Sequence, residues 1–316
     1  MHPTCDASHI DKIHSISFIP IFILGLHRSG TTILYKLLSQ TNNYNIVTAY
    51  HLICFDQLLY NYLLSEENNY KNKLSQELQR YSKDRGIDRL KLDADFPEEY
   101  GFLLGQKSSD MKITKQNYQF FKELCKKIQF ISNNNKPILL KNPYDFGNFI
   151  KIIELFPNAR FIFIHRHTYS TLSSTIKAVQ QIFSKQNWYT SKLYRLYVKI
   201  FENPLLLAST QLLFLKAPFF GMLYLLFQMR QGTRYFLRNI NRLDSRQYIN
   251  VTYEELCADA DSTLQKIHSF LEIDAKNLGT YQSQIQVRKI RLHPLVSQFK
   301  SLIDFSLHDY FDFWGY

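Results

Sequence analysis

No two of the cysteines, Cys5, Cys54, Cys125 and Cys257, form a C-x-x-C pair, and none has a histidine at metal-ligand spacing. That argues against zinc fingers and a disulfide framework, and it fits a reduced compartment. There is no helix-turn-helix, RNP motif or other nucleic-acid signature, so no nucleic-acid partner is expected. The stretch MHPTCDASHIDKIHSISF lacks the apolar core of a secretory signal, and a cytoplasmic location is the expectation. Acidic residues are outnumbered: 38 Lys and Arg against 27 Asp and Glu give 38 − 27 = +11. Such a balance favours anionic partners, either nucleotides or an anionic membrane surface. Internal repeats and low-complexity linkers are missing, so a single domain over 1–316 is the economical reading.

What is present is ordinary globular composition, 45% hydrophobic and 21% charged, with alternating strand and helix signals. FIPIFILGL (18–26) is an apolar, β-branched run that stops at glycine, and TTILYKLLSQ (31–40) then has helical spacing. KPILLKN (136–142) and ARFIFIHR (159–166) are further apolar runs, each followed by an amphipathic helix, at 146–156 and 170–183. QYINVTYEEL (247–256) reads as a last strand running into a helix at about 259–271. Continuous apolar strands alternating with helices predict an α/β fold: a P-loop-type, mainly parallel central sheet flanked by helices. Two largely helical insertions, about 57–135 and 186–245, interrupt it and are candidates for an acceptor-side lid.

Within the second insertion, LLLASTQLLFLKAPFFGMLYLLF (205–227) is long enough to span a bilayer but carries Lys216 and Pro218 near its middle. Three readings are open: a buried helix pair broken at Pro218, a membrane-surface element, or a membrane-spanning helix. Lys199, Arg230, Arg234 and Arg238 flank it and would suit anionic headgroups.

Ligands of a parallel sheet bind beyond the carboxyl ends of its strands. That rule gathers Gly25–Thr32, Lys141–Asp145, Arg166–Ser174 and Tyr253 along one edge. GLHRSGTT opens like a nucleotide loop, yet Thr31 stands where an NTPase has its lysine, and FIFIHR ends in His165 and Arg166 instead of a Walker-B aspartate. Gly25 permits the tight exit from the strand, and Gly30 lets backbone N–H groups close on an anion. The helix N-terminus at Thr31 adds donors, Arg28 a bidentate charge, and Ser29, Thr31 and Thr32 hydroxyls. Such a cradle suits a doubly anionic ligand held without a metal.

GLHRSGTT followed by a helix, with FIFIHRHTYSTLSS downstream, resembles the sulfotransferases that use 3′-phosphoadenosine-5′-phosphosulfate (PAPS). The resemblance covers about 17–52, 136–185 and 247–275. It implies that Arg28, Ser29, Gly30, Thr31 and Thr32 hold the 5′-phosphosulfate, and that Arg166 and Ser174, eight residues on, hold the 3′-phosphate. LLKNP is similar to the family segment whose lysine approaches the sulfuryl group, which implies Lys141. NVTYEEL resembles the unit whose tyrosine lies near the nucleotide, which implies Tyr253. The expected activity is in-line transfer of the sulfuryl group to a hydroxyl acceptor, without a metal.

Such transfer needs a base, and its position is open. Cytosolic members place a histidine two residues after the LLK lysine, where this sequence has Pro143. His51, 21 residues after Gly30, is the first candidate, since an ordinary histidine pKa suits proton abstraction near neutrality. Asp56 would orient it or cap a helix. The second candidate is Glu99, with Glu98 beside it. They lie in LDADFPEEYGFLL, which resembles a P-x-E-D-E stretch of bacterial sulfotransferases related to those acting on lipid and quinone acceptors; Tyr100 and Gly101 depart from it. A lipid-like or amphiphilic acceptor would give 205–227 a use, with the protein peripheral on a membrane's inner face. The competing readings are a P-loop kinase or NTPase, which would need the missing lysine and carboxylate, and an inactive nucleotide-binding protein, which Pro143 favours.

Overall fold

The computed structural model describes residues 5–82, 84–85, 91–274, 281–285 and 291–315. Residues 83 and 86–90 of the first insertion, and 275 at the end of the family resemblance, lie outside them. Five strands make one parallel sheet: β1 (Pro20–Leu24), β2 (Asn45–Ile46), β3 (Ile138–Lys141), β4 (Arg160–His165) and β5 (Tyr248–Thr252), in the order β2-β3-β1-β4-β5. Its register pairs Ile23 with Lys141, Leu24 with Phe163 and His165 with Thr252. The carboxyl ends of β1, β3, β4 and β5 therefore reach one edge together, as the sequence pattern predicts.

Both faces of the sheet are covered, which is why its strands read as unbroken apolar runs. Ile21, Ile23, Leu139 and Ile162 pack on one side, with Leu34, Leu37 and Leu38 of helix α1 (Thr31–Gln40) and with Leu264 and Ile267 of the helix Ala260–Leu271. Phe22, Leu24, Leu140 and Phe163 face the other way, towards Leu103, Phe121 and Phe149 of the helices Gly101–Ser108, Tyr118–Ser132 and Phe149–Leu155. The alternation follows from the two-residue period of a strand, which sends neighbouring side chains to opposite faces.

Both insertions are largely helical among the described residues, although 91–100 and 109–117 are not. The second contains a helical arm, Pro204–Lys216, bent by 92° from the helix that begins at Pro218. Proline cannot continue a helix through its own N–H, so the break falls where the sequence puts it. Among the described residues no single helix is long and apolar enough to cross a membrane, although the bent pair together meets the length and composition. A helix over Lys300–Trp314 was not among the sequence expectations. It packs on Pro218–Asn239, and its Tyr310 hydroxyl lies 2.6 Å from His165 Nδ1 at the end of β4. Its apolar spacing, Ile303, Leu307, Tyr310 and Phe311, was readable as one helical face.

Candidate active site

Between β1 and α1 the chain turns through Arg28 (φ 68°) and Gly30 (φ 106°), both in the left-handed region. At Gly30 an added Cβ would fall 2.5 Å from the Tyr253 ring, and at Gly25 it would fall 2.4 Å from the Ile164 carbonyl. The turn therefore needs glycine at both positions. The second motif straps the loop down. Arg28 Nε donates to Ser174 Oγ at 3.1 Å, Arg166 donates to the Arg28 carbonyl at 3.1 Å, and Thr175 Oγ1 donates to the His27 carbonyl at 3.3 Å. The Arg166 guanidinium lies 4.1 Å from the centroid of the Tyr253 ring. Thus Arg28, Arg166, Ser174 and Tyr253, remote in sequence, meet over one loop.

Two side chains there point to a ligand. Ser29 Oγ and Arg166 Nε are buried without a hydrogen-bond partner among the described residues. A folded chain seldom leaves buried polar atoms unmatched, and an anion of the nucleotide kind would match both. The cradle, the N-terminus of α1 and these two donors fit the phosphate groups of PAPS.

Lys141, at the end of β3, is fully buried. Its Nζ lies 3.2 Å from Thr32 Oγ1 and 3.0 Å from Glu99 Oε1. Glu99 belongs to the first insertion, which comes to the sheet edge by extending it: Glu98 N donates to the Val47 carbonyl just past β2, and Ala49 N donates to the Phe96 carbonyl, both at 2.9 Å. A second set of bonds fixes the segment from the other side. The buried Asp145 carboxylate accepts from the Tyr100 hydroxyl at 2.7 Å, Asn142 at 2.8 Å, Asn148 at 2.6 Å and Ile113 N at 3.1 Å.

The two neighbouring glutamates are driven apart in acidity. Burial raises Glu98 above the ordinary carboxyl value despite Arg85 and Lys141 nearby. Burial would raise Glu99 too, but Lys141, Arg85 and His27 outweigh it and hold its carboxyl below the ordinary value. Adjacent carboxyls pushed in opposite directions mark a candidate acid-base pair. Arg85 Nε lies 3.4 Å from Glu98 Oε1, and the Tyr189 hydroxyl donates to Glu98 at 2.9 Å. Neither partner had a sequence signal, because each comes from an insertion without a motif.

The other candidates stand elsewhere. His51 forms a helix cap: Thr48 N donates to its Nδ1 at 3.1 Å, and His51 N donates to Thr48 Oγ1 at 3.4 Å. Burial lowers its pKa to about 3, with Lys71 adding to the shift and Asp95 opposing it. A ring so occupied and so weakly basic is poorly suited to take a proton at neutral pH, which corrects its ranking as first candidate. Asp56 does not orient it; its carboxylate is bound by Lys107 at 3.0 Å.

A parallel α/β sheet with a glycine-containing loop between β1 and α1 gives this chain a phosphate-loop-type fold. The chain belongs to the sulfotransferase family: the model of that family matches residues 20–215. It is similar to omega-hydroxy-beta-dihydromenaquinone-9 sulfotransferase Stf3 of Mycobacterium bovis and of Mycobacterium tuberculosis, each 28% identical over 189 residues. Those matches cover 53% of this chain and 47% of each relative, so the chain matches about half the length of these curated relatives. Among solved structures, sulfotransferase STF9 of Mycobacterium avium shares the fold at TM-score 0.64 and 15% identity, over 97% of this chain and 79% of that one. STF1 of Mycobacterium tuberculosis does so at TM-score 0.58 and 15% identity, over 96% and 80%.

Proposed function

We propose that this protein transfers the sulfuryl group of PAPS to the hydroxyl of an amphiphilic acceptor, with Glu99 as general base and Lys141 as the cation at the transferring group. The observation that carries this reading is the meeting of Lys141 with Thr32 of the anion loop and Glu99 of the first insertion, within 3.2 Å and 3.0 Å. PAPS supplies the sulfuryl group on a phosphate leaving group. Arg28, Ser29, Thr31, Thr32 and the backbone around Gly30 would hold its 5′ end, and Arg166, Ser174 and Tyr253 its 3′-phosphate and base.

Lys141 contributes a fixed positive charge where negative charge develops, the role that lysine and arginine play in phosphoryl transfer. Glu99 is ionised at neutral pH, as a base must be, and removes the acceptor proton. Glu98, Arg85, Asp145 and Tyr100 position it. An amphiphilic acceptor is supported by similarity to relatives named for a dihydromenaquinone.

The test is a transfer assay with labelled PAPS on a lipid and metabolite extract, alongside thermal shift with 3′-phosphoadenosine-5′-phosphate and with ATP plus magnesium. Labelled product and stabilisation by the former are expected. Preference for ATP would point to a kinase or NTPase, and tight binding of the former without any labelled product to an inactive nucleotide-binding protein.

A further inference from the structure

The helix Pro218–Asn239 is apolar on two opposite faces. Met222, Leu226, Met229 and Phe236 are buried. Phe220, Tyr224 and Phe227, spaced i, i+4, i+7, form a second stripe that is 61%, 50% and 54% exposed. The bent arm before it adds Leu205 at 79%, Leu206 at 48% and Leu212 at 56%. Bulky apolar side chains so concentrated on one corner of a fold mark an interaction site.

The stripe changes character along the helix. Continued at the same spacing, it passes from Phe220, Tyr224 and Phe227 to Gln231, Arg234 and Arg238. At 1.5 Å per residue, Arg234 lies about 10 Å along the axis from Phe227. An apolar tip backed by a cationic band at that depth matches the acyl and headgroup layers of a bilayer surface. Between Glu202 and Asp244 there is no acidic residue, whereas Lys216, Arg230, Arg234, Arg238 and Arg242 are basic. A second copy of the chain would set this charge against itself, while anionic lipid complements it.

The same helix leads inward. Burial raises the Tyr194 and Tyr144 hydroxyls above the ordinary tyrosine value, with Tyr224 adding to both shifts and Glu99 to that of Tyr144. Tyr144 in turn packs edge-on against His27 of the anion loop, ring centroids 4.5 Å apart. The helix Pro218–Asn239 also packs on the turn Pro143–Gly147 that carries Tyr144, so the exposed corner and the anion loop are joined through one packed helix.

We propose that the corner formed by Pro204–Lys216 and the first half of Pro218–Asn239 docks on an anionic lipid surface, seating its apolar side chains among the acyl chains without crossing the bilayer. A hydroxyl-bearing lipid could then reach Glu99 without leaving the membrane; this consequence rests on the proposed function, whereas the docking does not.

The test is flotation of the full chain with phosphatidylcholine vesicles and with vesicles containing about one third phosphatidylglycerol. Co-flotation with the anionic vesicles is expected, falling at least tenfold for Phe220→Asp with Phe227→Asp, and also for Arg234→Gln with Arg238→Gln or in high salt. Phe220→Trp reads insertion directly: brominated lipid should quench its added emission. Absence of vesicle binding by the unaltered chain, or binding unchanged in both double variants, would overturn the proposal. So would a dimer that the aspartate variant dissociates in the absence of lipid, since the face would then belong to a second copy. Vesicle binding without sulfate transfer would leave the docking standing and sink the proposed activity.

Discussion

Glu99 and His51 make opposite predictions as base. Glu99→Gln should lower turnover about 10²–10⁴-fold, the usual contribution of a general base, while 3′-phosphoadenosine-5′-phosphate still binds. His51→Ala should leave catalysis near its original level and cost about 1 kcal/mol of stability from the lost cap. Because Lys141 and Arg85 hold Glu99 below the ordinary value of 4.5, kcat/KM should stay flat as pH falls through 6.5. A limb near 6.5, the ordinary histidine value, would implicate an imidazole instead. Gly30→Ala should destabilise by on the order of 1–2 kcal/mol, the cost of a left-handed backbone for a residue with a Cβ, before the clash with Tyr253 is counted. Melting temperature and nucleotide affinity would both register it.

At the scale of elements, the first insertion delivers Glu99, the proposed base, and Asp145 at the turn after β3 fixes where its segment sits. Asp145→Ala would leave the Tyr100 hydroxyl, the Asn142 and Asn148 amides and Ile113 N short of an acceptor. A loss on the order of 3 kcal/mol is expected from buried groups left unmatched, measurable by denaturant unfolding. Tyr100→Phe is the milder probe. It should reduce kcat more than nucleotide affinity, because it loosens Glu98–Glu99 without touching the anion loop. The loop and the β4 motif were legible in sequence because their chemistry is local: glycines at a strand exit, and an arginine and a serine at fixed spacing. Glu99 was legible only as an alternative. Nothing in LDADFPEEYGFLL says that the segment crosses to Val47 and meets Lys141, which lies 42 positions away in number.

For the whole molecule, two buried histidines link stability to pH. His51 and His165 both have pKa values near 3 in the folded chain, chiefly because burial disfavours their charged form. In the unfolded chain each would titrate near 6.5. The unfolded state therefore binds more protons between those values. Stability from their neutral burial is complete above about 6.5 and is lost as pH falls towards 3, at about 1.4 kcal/mol per pH unit for each histidine. Glu98 and Asp145, whose carboxyls burial raises, act with the opposite sign. Comparing the chain with His51→Gln isolates one histidine: the variant's stability should fall less steeply between pH 6 and pH 4, roughly by that amount per unit.

The parallel α/β core and the gathering of Gly25–Thr32, Arg166, Ser174 and Tyr253 at one sheet edge followed from the sequence alone. Hydrophobic period and glycine placement act through neighbours a few residues apart, and a parallel sheet sends all its strand ends to one edge. The meeting of Glu99 with Lys141, the capping role of His51 and the exposure of the apolar corner were decided by tertiary structure. Each depends on which side chain arrives: Lys141 beside Glu99, Thr48 on the His51 ring, and, among the described residues, no cover that buries Phe220, Tyr224 and Phe227. A histidine at a helix start and a glutamate in an insertion carry no local mark of such encounters, because burial and charge pairing are properties of the assembled fold.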